Sequence, residues 1–323
     1  MMEKKLLVSL SPHIHSSDSV RKKMWNVIIA LVPALAAAIA VFGIPALEVM
    51  LLCTASAMLT EWLIEKFLMR RPCTLADGSA MITGLLLACN LPSILPWWMA
   101  VIGSVVAVGV GKMSFGGLGC NIWNPALVGR VFLLISFPAA MTTWPAGIGA
   151  DVISGATSGA DISTGATFLS SLNAHGGNLP SADILKLWLG DMNGSLGETG
   201  SIAILAGLIW LLCTRTITWH IPVAVIAGAS MLSAALGGNP LLDILSGGLL
   251  LGAVFMATDY VTSPMTHAGQ IIYGLMIGFI TIIIRRFGSY PEGVSFAILL
   301  MNSFVPLINH YIKPRRFGER RKA

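Results

Sequence analysis

Two threonines close near-identical runs, Asp151-Val-Ile-Ser-Gly-Ala-Thr157 and Asp161-Ile-Ser-Thr-Gly-Ala-Thr167. Each run has an Asp, a short spacer and Ser/Thr-Gly-Ala-Thr. Small neighbours leave a threonine hydroxyl open to a modifying enzyme, and a hydroxyl can be esterified by a phosphate. Loops rich in Gly, Ser and Thr are usually linkers. A linker has no need of two near-copies ten residues apart. A second set of candidates consists of charges in apolar surroundings, which are expensive there and are functional hypotheses by default. These are Glu61, Glu65, Arg130 and Asp259. Glu61 and Glu65 read as residues approaching a membrane edge beside Lys66. Asp259 reads either as part of an ion path or as a helix-end residue in a wet loop.

The elements that must hold these residues follow from composition. The chain has 323 residues, with 20 Lys or Arg, 15 Asp or Glu and 55% hydrophobic residues. Its mean hydropathy is +0.79. Charged residues make up 11%, against about 25% in ordinary soluble domains. A water-soluble fold has nowhere to hide so much apolar surface, which excludes soluble enzymes, disordered chains and coiled coils. Ten apolar segments are expected to span a membrane, at about 24–42, 45–64, 79–95, 97–114, 126–142, 200–214, 217–236, 243–258, 268–284 and 293–312. The fold class expected is therefore an all-α polytopic membrane protein. Several segments are nearer 15 residues than the roughly 20 of a full span, which suggests tilted or broken helices.

Basic residues orient the chain. Fourteen of the 20 lie in three segments: the N-terminus up to Lys23, the stretch Lys66–Arg71, and the C-terminus from Lys313. With ten spans all three face the cytoplasm. The long segment 143–199 faces outside, with one Lys (Lys186) against Asp151, Asp161, Asp183, Asp191 and Glu198. Arg285 and Arg286 offend this rule, which makes them candidates for burial or pairing. The basic balance is a topology signal, and it carries no nucleic-acid footprint. Five cysteines (Cys53, Cys73, Cys89, Cys120, Cys213) form no CxxC or metal-binding spacing and read as buried thiols.

An internal echo divides the membrane part. Gly78-Ser-Ala-Met-Ile-Thr-Gly-Leu-Leu-Leu-Ala-Cys-Asn90, followed by Pro92, resembles Gly247-Gly-Leu-Leu-Leu-Gly-Ala-Val-Phe-Met-Ala-Thr-Asp259, followed by Pro264. The stretch Lys112 to Leu134 is echoed by Arg286 to Leu300. Two units of five spans must have opposite topology, and in such folds the ion or substrate site lies where matching spans are interrupted. Asn90, Asn124 and Asp259 are the candidates for an ion path. The expected organisation is a cytoplasmic segment 1–23, a first five-helix repeat 24–142, an outer, periplasmic loop 143–199, a second five-helix repeat 200–312 and a basic cytoplasmic tail 313–323.

Motifs along most of the chain point to one family. They include Ser11-Pro-His13, Phe115-Gly-Gly-Leu-Gly-Cys-Asn-Ile-Trp-Asn-Pro-Ala126, Gly197-Glu-Thr-Gly200, Trp219-His-Ile-Pro222, Ala257-Thr-Asp-Tyr-Val-Thr-Ser-Pro264 and Tyr290-Pro-Glu-Gly-Val-Ser-Phe-Ala297. The chain resembles the D-type membrane component (RnfD) of the Rnf complex, the ion-translocating electron-transport complex between ferredoxin and NAD. It is similar also to the B-type component (NqrB) of the sodium-translocating NADH:quinone oxidoreductase, which typically has a longer N-terminal extension. The resemblance implies an FMN joined through its phosphate to a threonine by a separate flavin transferase. Thr167 matches that motif best, with Asp161, Thr164, Gly165, Ala166 and Leu169 in register and Phe168 where Pro is commoner. Thr157 is second. It further implies a multi-pass subunit of a bacterial inner membrane, surrounded by lipid. Its partners would be Rnf complex subunits of the A, B, C, E and G types, and it would couple electron relay to Na+ or H+ transport. The chain has no Gly-rich dinucleotide fingerprint and no cysteine cluster, so nicotinamide and ferredoxin chemistry falls to those partners, with no complete active site here. A passive channel or secondary transporter with an inverted repeat is the rival reading.

Overall fold

The architecture comes from a computed structural model that describes residues 18–145, 164–165, 188, 194–198, 200–288 and 293–313. The described part is helical apart from one two-residue strand pair. Helix α1 (Val20–Phe42) starts on Ser19, whose hydroxyl accepts from the Lys22 amide at 3.2 Å, and α2 (Ile44–Leu63) runs on as a π-helical turn, Ile64–Met69. Next come α3 (Ser79–Cys89), α4 (Trp97–Gly109), α5 (Pro125–Ser136) and the single turn α6 (Pro138–Met141). Strand β1 (Trp144–Pro145) pairs antiparallel with β2 (Thr164–Gly165). The second half holds α7 (Ser201–Cys213), α8 (His220–Ala235), α9 (Pro240–Leu245), α10 (Leu249–Leu251) with a π-helical turn at Gly252–Met256, α11 (His267–Phe287) and α12 (Val294–Tyr311).

Among the described residues, five stretches are long and apolar enough to cross a membrane: Val20–Phe42, Ile44–Met69, Trp97–Phe115, His267–Phe287 and Val294–Tyr311. Four more apolar helices are shorter, namely α3, α5, α7 and α8. Two expected spans are interrupted. The one expected at about 79–95 is helical only to Cys89, because Pro92 disfavours helix in the residue before it and Asn90 bonds back onto the chain. The one expected at about 243–258 is broken between α9 and α10, where Gly247 and Gly248 take positive φ of 68° and 65°. At 1.5 Å per residue, α3 covers about 16 Å, roughly half of a bilayer core.

One apolar core runs through both halves. Helix α1 packs on α7, α2 on α3 and α4, α4 on α5, α8 on α11, α11 on α12, and α5 on α12. Large apolar side chains such as Ile44, Leu68 and Phe287 are exposed on the outside. That inversion of the soluble pattern is what a hydrocarbon solvent rewards.

Candidate functional site

The interrupted end of α3 and the start of α5 converge on Met256. The Asn90 side-chain amide, just past α3, donates to the Leu86 carbonyl (2.6 Å) and approaches Met256 Sδ (3.7 Å). Asn124 opens α5, with its Oδ1 accepting from the Ala126 amide (3.1 Å). Its Nδ2 donates across to the Met256 carbonyl (3.2 Å). In this way two asparagines of the first half satisfy backbone and sulfur at the end of the π-helical turn in the second. No water is available in hydrocarbon to do so.

A cavity of about 80 Å³ opens beside this junction, at the end of the molecule where α1 begins. Its polar lining includes Ser79, Thr83, Lys112, Asn121, Asn124 and Asp259. A volume of this size holds several waters or a small ion, since one water needs about 10–15 Å³ of centre space. Asp259 accepts hydrogen bonds from Thr262 Oγ1 (3.3 Å), the Asn121 side chain and the backbone amides of Tyr260 and Val261. All of these donors are neutral, and Asp259 has no ion-pair partner among the described residues. Asn124 and Asp259 thus share one cavity, while Asn90 lies outside its lining.

Lys112 lines the same cavity and is neutralised from behind. Its Nζ meets Glu61 Oε2 at 2.7 Å, Glu61 Oε1 at 2.8 Å and Ser79 Oγ at 2.7 Å. The side chains of the pair are 3% and 1% exposed, so breaking it would strand a buried charge. Glu65 is also buried, accepting from the Thr74 amide (2.9 Å) and the Thr74 hydroxyl. Glu61 and Glu65, read from the sequence as residues approaching a membrane edge beside Lys66, are both buried. Lys112 and Thr74 supply the countercharge and donors that let them stay inside.

The opposite end holds a cationic cluster. Buried Arg130 on α5 donates to Asn90 Oδ1 at 2.6 Å. Buried Arg285 on α11 donates to the carbonyls of Asp243, Ser246 (2.9 Å) and Gly247 (3.0 Å), which closes the break between α9 and α10. Arg286 lies 3.6 Å from the Asp243 carboxylate, which also accepts from Ser233. Arg285 and Arg286 break the charge rule because they serve the fold from inside it. Lys112 has the matching task in the first half, at the start of α3. Sequence reasoning missed Lys112 and Asp243 as partners. The signal was present in the echo between the Lys112 and Arg286 stretches.

Thr157 and Thr167 lie outside the described residues. The strand pair sets Thr164 against Pro145 and Gly165 against Trp144, so the backbone two residues before Thr167 is held beside a buried tryptophan at the end of α6. Cys53 and Cys89 are buried as expected, whereas Cys73, Cys120 and Cys213 are exposed. Among the described residues no three His, Cys, Asp or Glu side chains converge as a metal site would require.

Comparison with known proteins gives a consistent result. The chain is 44% identical to the D subunit of the Na(+)-translocating ferredoxin:NAD(+) oxidoreductase complex of Acetobacterium woodii, over 98% of this chain and 97% of that one. It is 43% identical to the D subunit of the proton-translocating ferredoxin:NAD(+) oxidoreductase complex of Clostridium ljungdahlii, over 97% and 96%. It is 38% identical to the D subunit of the ion-translocating oxidoreductase complex of an Escherichia coli strain, over 97% and 99%. The sequence profile of the NQR2, RnfD, RnfE family matches residues 7–318, and the chain belongs to that family.

Proposed function

We propose that the chain is the D subunit of an ion-translocating ferredoxin:NAD+ oxidoreductase complex, relaying electrons through a covalently held FMN and helping to carry Na+ or H+ across a bacterial inner membrane. Ten spans in two inverted five-helix units fit the packing of α1 on α7 and α5 on α12, which are the first and fifth helices of each unit. The distribution of basic residues supports cytoplasmic termini and an outer 143–199 segment. Relatives named for sodium and for protons match almost equally well, so similarity leaves the coupling ion open.

The observation that carries the ion-path reading is Asp259, a carboxylate facing a cavity with only neutral donors around it. A cation entering from the α1 end would supply the missing charge. Asn121, Asn124 and the hydroxyls of Ser79 and Thr83 line its way. Lys112 is held off by Glu61 and does not compete for Asp259.

For the flavin, the residues fit the group. A phosphoester needs one hydroxyl, and Thr167 offers it behind Thr164-Gly165-Ala166, with Thr157 as second choice. FMN bound there would supply one- and two-electron chemistry, and the protein would supply its position. The β1–β2 pair supports that role by fixing the backbone just ahead of Thr167. A flavin transferase would attach it, and the other subunits would hold the ferredoxin and nicotinamide sites.

The test is flavin fluorescence of this protein on a denaturing gel. Wild type is expected to fluoresce and Thr167→Ala to be dark. A dark wild type would favour the channel or transporter reading. A bright Thr167→Ala with a dark Thr157→Ala would move the site to Thr157.

A further inference from the structure

The five residues Gly194–Glu198, which close the 143–199 segment, join both interrupted helices. Where α3 stops, its last carbonyls lose their helical partners. The Asn90 amide takes Leu87 (2.9 Å) and the Leu91 amide takes Ala88 (3.0 Å). The remaining ones are met from afar: Gly197 N–H donates to the Cys89 carbonyl (2.6 Å) and Leu196 N–H to that of Leu91 (3.2 Å). The same turn lies on the second half. A Cβ on Gly197 would come within 2.6 Å of Leu251 Cδ2 on α10 and 2.8 Å of the Cys89 carbonyl, so only glycine fits between the two breaks. A Cβ on Gly248, at the start of α10, would touch the Glu198 side chain at 3.6 Å.

Charge ties the turn further. The Ser195 hydroxyl donates to Glu198 Oε1 at 2.9 Å. Burial pushes the Glu198 carboxyl above the ordinary carboxylate range, and the Arg130 guanidinium, Ser195 and the Arg285 guanidinium pull it back. Arg130 holds Asn90, and Arg285 holds Ser246 and Gly247. Glu198 therefore feels the charge of both cations that brace the two breaks.

We propose that Glu198 is a positioning residue for ion translocation: its turn locks the end of α3 to α10, so that the two helix breaks shift as one unit. This rests on the reading of the Met256 junction and its neighbouring cavity as the ion path. Helix ends that pack in discrete arrangements can convert a small displacement at one site into a change at another. Without the carboxylate, Arg130 and Arg285 lose their shared tie and the breaks move independently.

The test uses the whole complex in inverted membrane vesicles, comparing wild type with Glu198→Gln, Glu198→Asp and Ser195→Ala. Ferredoxin:NAD+ oxidoreduction, uptake of radioactive sodium, uptake of protons by a pH-sensitive dye and in-gel flavin fluorescence are measured on the same vesicles. Glu198→Gln is expected to keep its fluorescence and oxidoreduction rate while ions moved per electron fall about fivefold or more. Ser195→Ala should lower the ratio less, and Glu198→Asp should restore part of it. An unchanged ratio in Glu198→Gln overturns the proposal, as does a parallel fall of electron transfer and uptake, which marks a purely structural role. If Glu198→Gln fails to assemble, an unchanged ratio in Ser195→Ala overturns it. Failure of the flavin reading is seen separately, as a dark wild-type band.

Discussion

At Asn90 a neutral amide faces a fixed cation, the Arg130 guanidinium at 2.6 Å. At Asp259, the echoing position of the second half, a carboxylate faces only neutral donors, among them Thr262 at 3.3 Å. One helix end carries its positive charge on the chain, and the other leaves room for one to arrive. Two helix ends built to a similar pattern thus differ in whether their cation is covalent or exchangeable. A second contrast runs the same way. Lys112 and Arg285 both end a long helix and both hold the start of an interrupted one. Lys112 is neutralised by one buried side chain, Glu61, whereas Arg285 spends its donors on three backbone carbonyls.

The largest effect is expected where that contrast is sharpest. Lys112→Met leaves Glu61 buried without its countercharge, with only the Thr74 hydroxyl at 3.3 Å still donating to it, and should destabilise the protein by about 3–5 kcal/mol, read as a lower melting temperature in detergent. The double change with Glu61→Gln should recover most of it, and a double variant as unstable as the single would deny the pairing its importance. Arg285→Met orphans backbone carbonyls at about 1–3 kcal/mol each and also removes one of the two cations that act on Glu198. The two variants compared in one melting series will rank the two kinds of brace.

Asn90→Asp sharpens the comparison from the other side. Beside Arg130 the new carboxylate faces a countercharge, but it loses the donor to the Leu86 carbonyl, so folding should weaken by about 1–3 kcal/mol while ion uptake per electron changes little. A fall in uptake per electron as large as that of a variant at Asp259 would remove the contrast between the two helix ends. Asn124→Ala removes a helix cap and should cost about 0.5–2 kcal/mol, together with the link to Met256. The smallest effect is expected for Trp123→Phe, which deletes a 2.8 Å bond to Ser303 on an exposed surface and should cost no more than about 1 kcal/mol.

How far the sequence discloses this arrangement depends on the range of the interaction. Helices α11 and α12 fall within a few residues of their expected limits, because uninterrupted apolar runs are a local signal. The breaks at Asn90 and Gly247–Gly248 are invisible to averaged hydropathy, which sees Leu, Ala and Gly as apolar whether or not they are helical. Their residue types nevertheless mark the sites, since Asn-Leu-Pro and Gly-Gly are breakers. The Lys112–Glu61 pair joins residues 51 apart, and nothing local in either residue names the other. The same holds for Glu198, legible as an acid in a loop but not as the neighbour of two arginines. Of the candidate ion-path residues, Asn124 and Asp259 come together on one cavity, and Asn90 meets the same junction from the far side.

The central claim is that Asp259 receives the transported cation, and the most direct measurement is ion uptake per electron in vesicles carrying Asp259→Asn in the intact complex. The variant keeps the shape and the hydrogen-bonding size of the side chain while removing its charge. Uptake of sodium or protons per electron is expected to fall by at least about fivefold, while Asn90→Asp stays near wild type. Wild-type uptake by Asp259→Asn, or equal losses in both variants, would contradict the account.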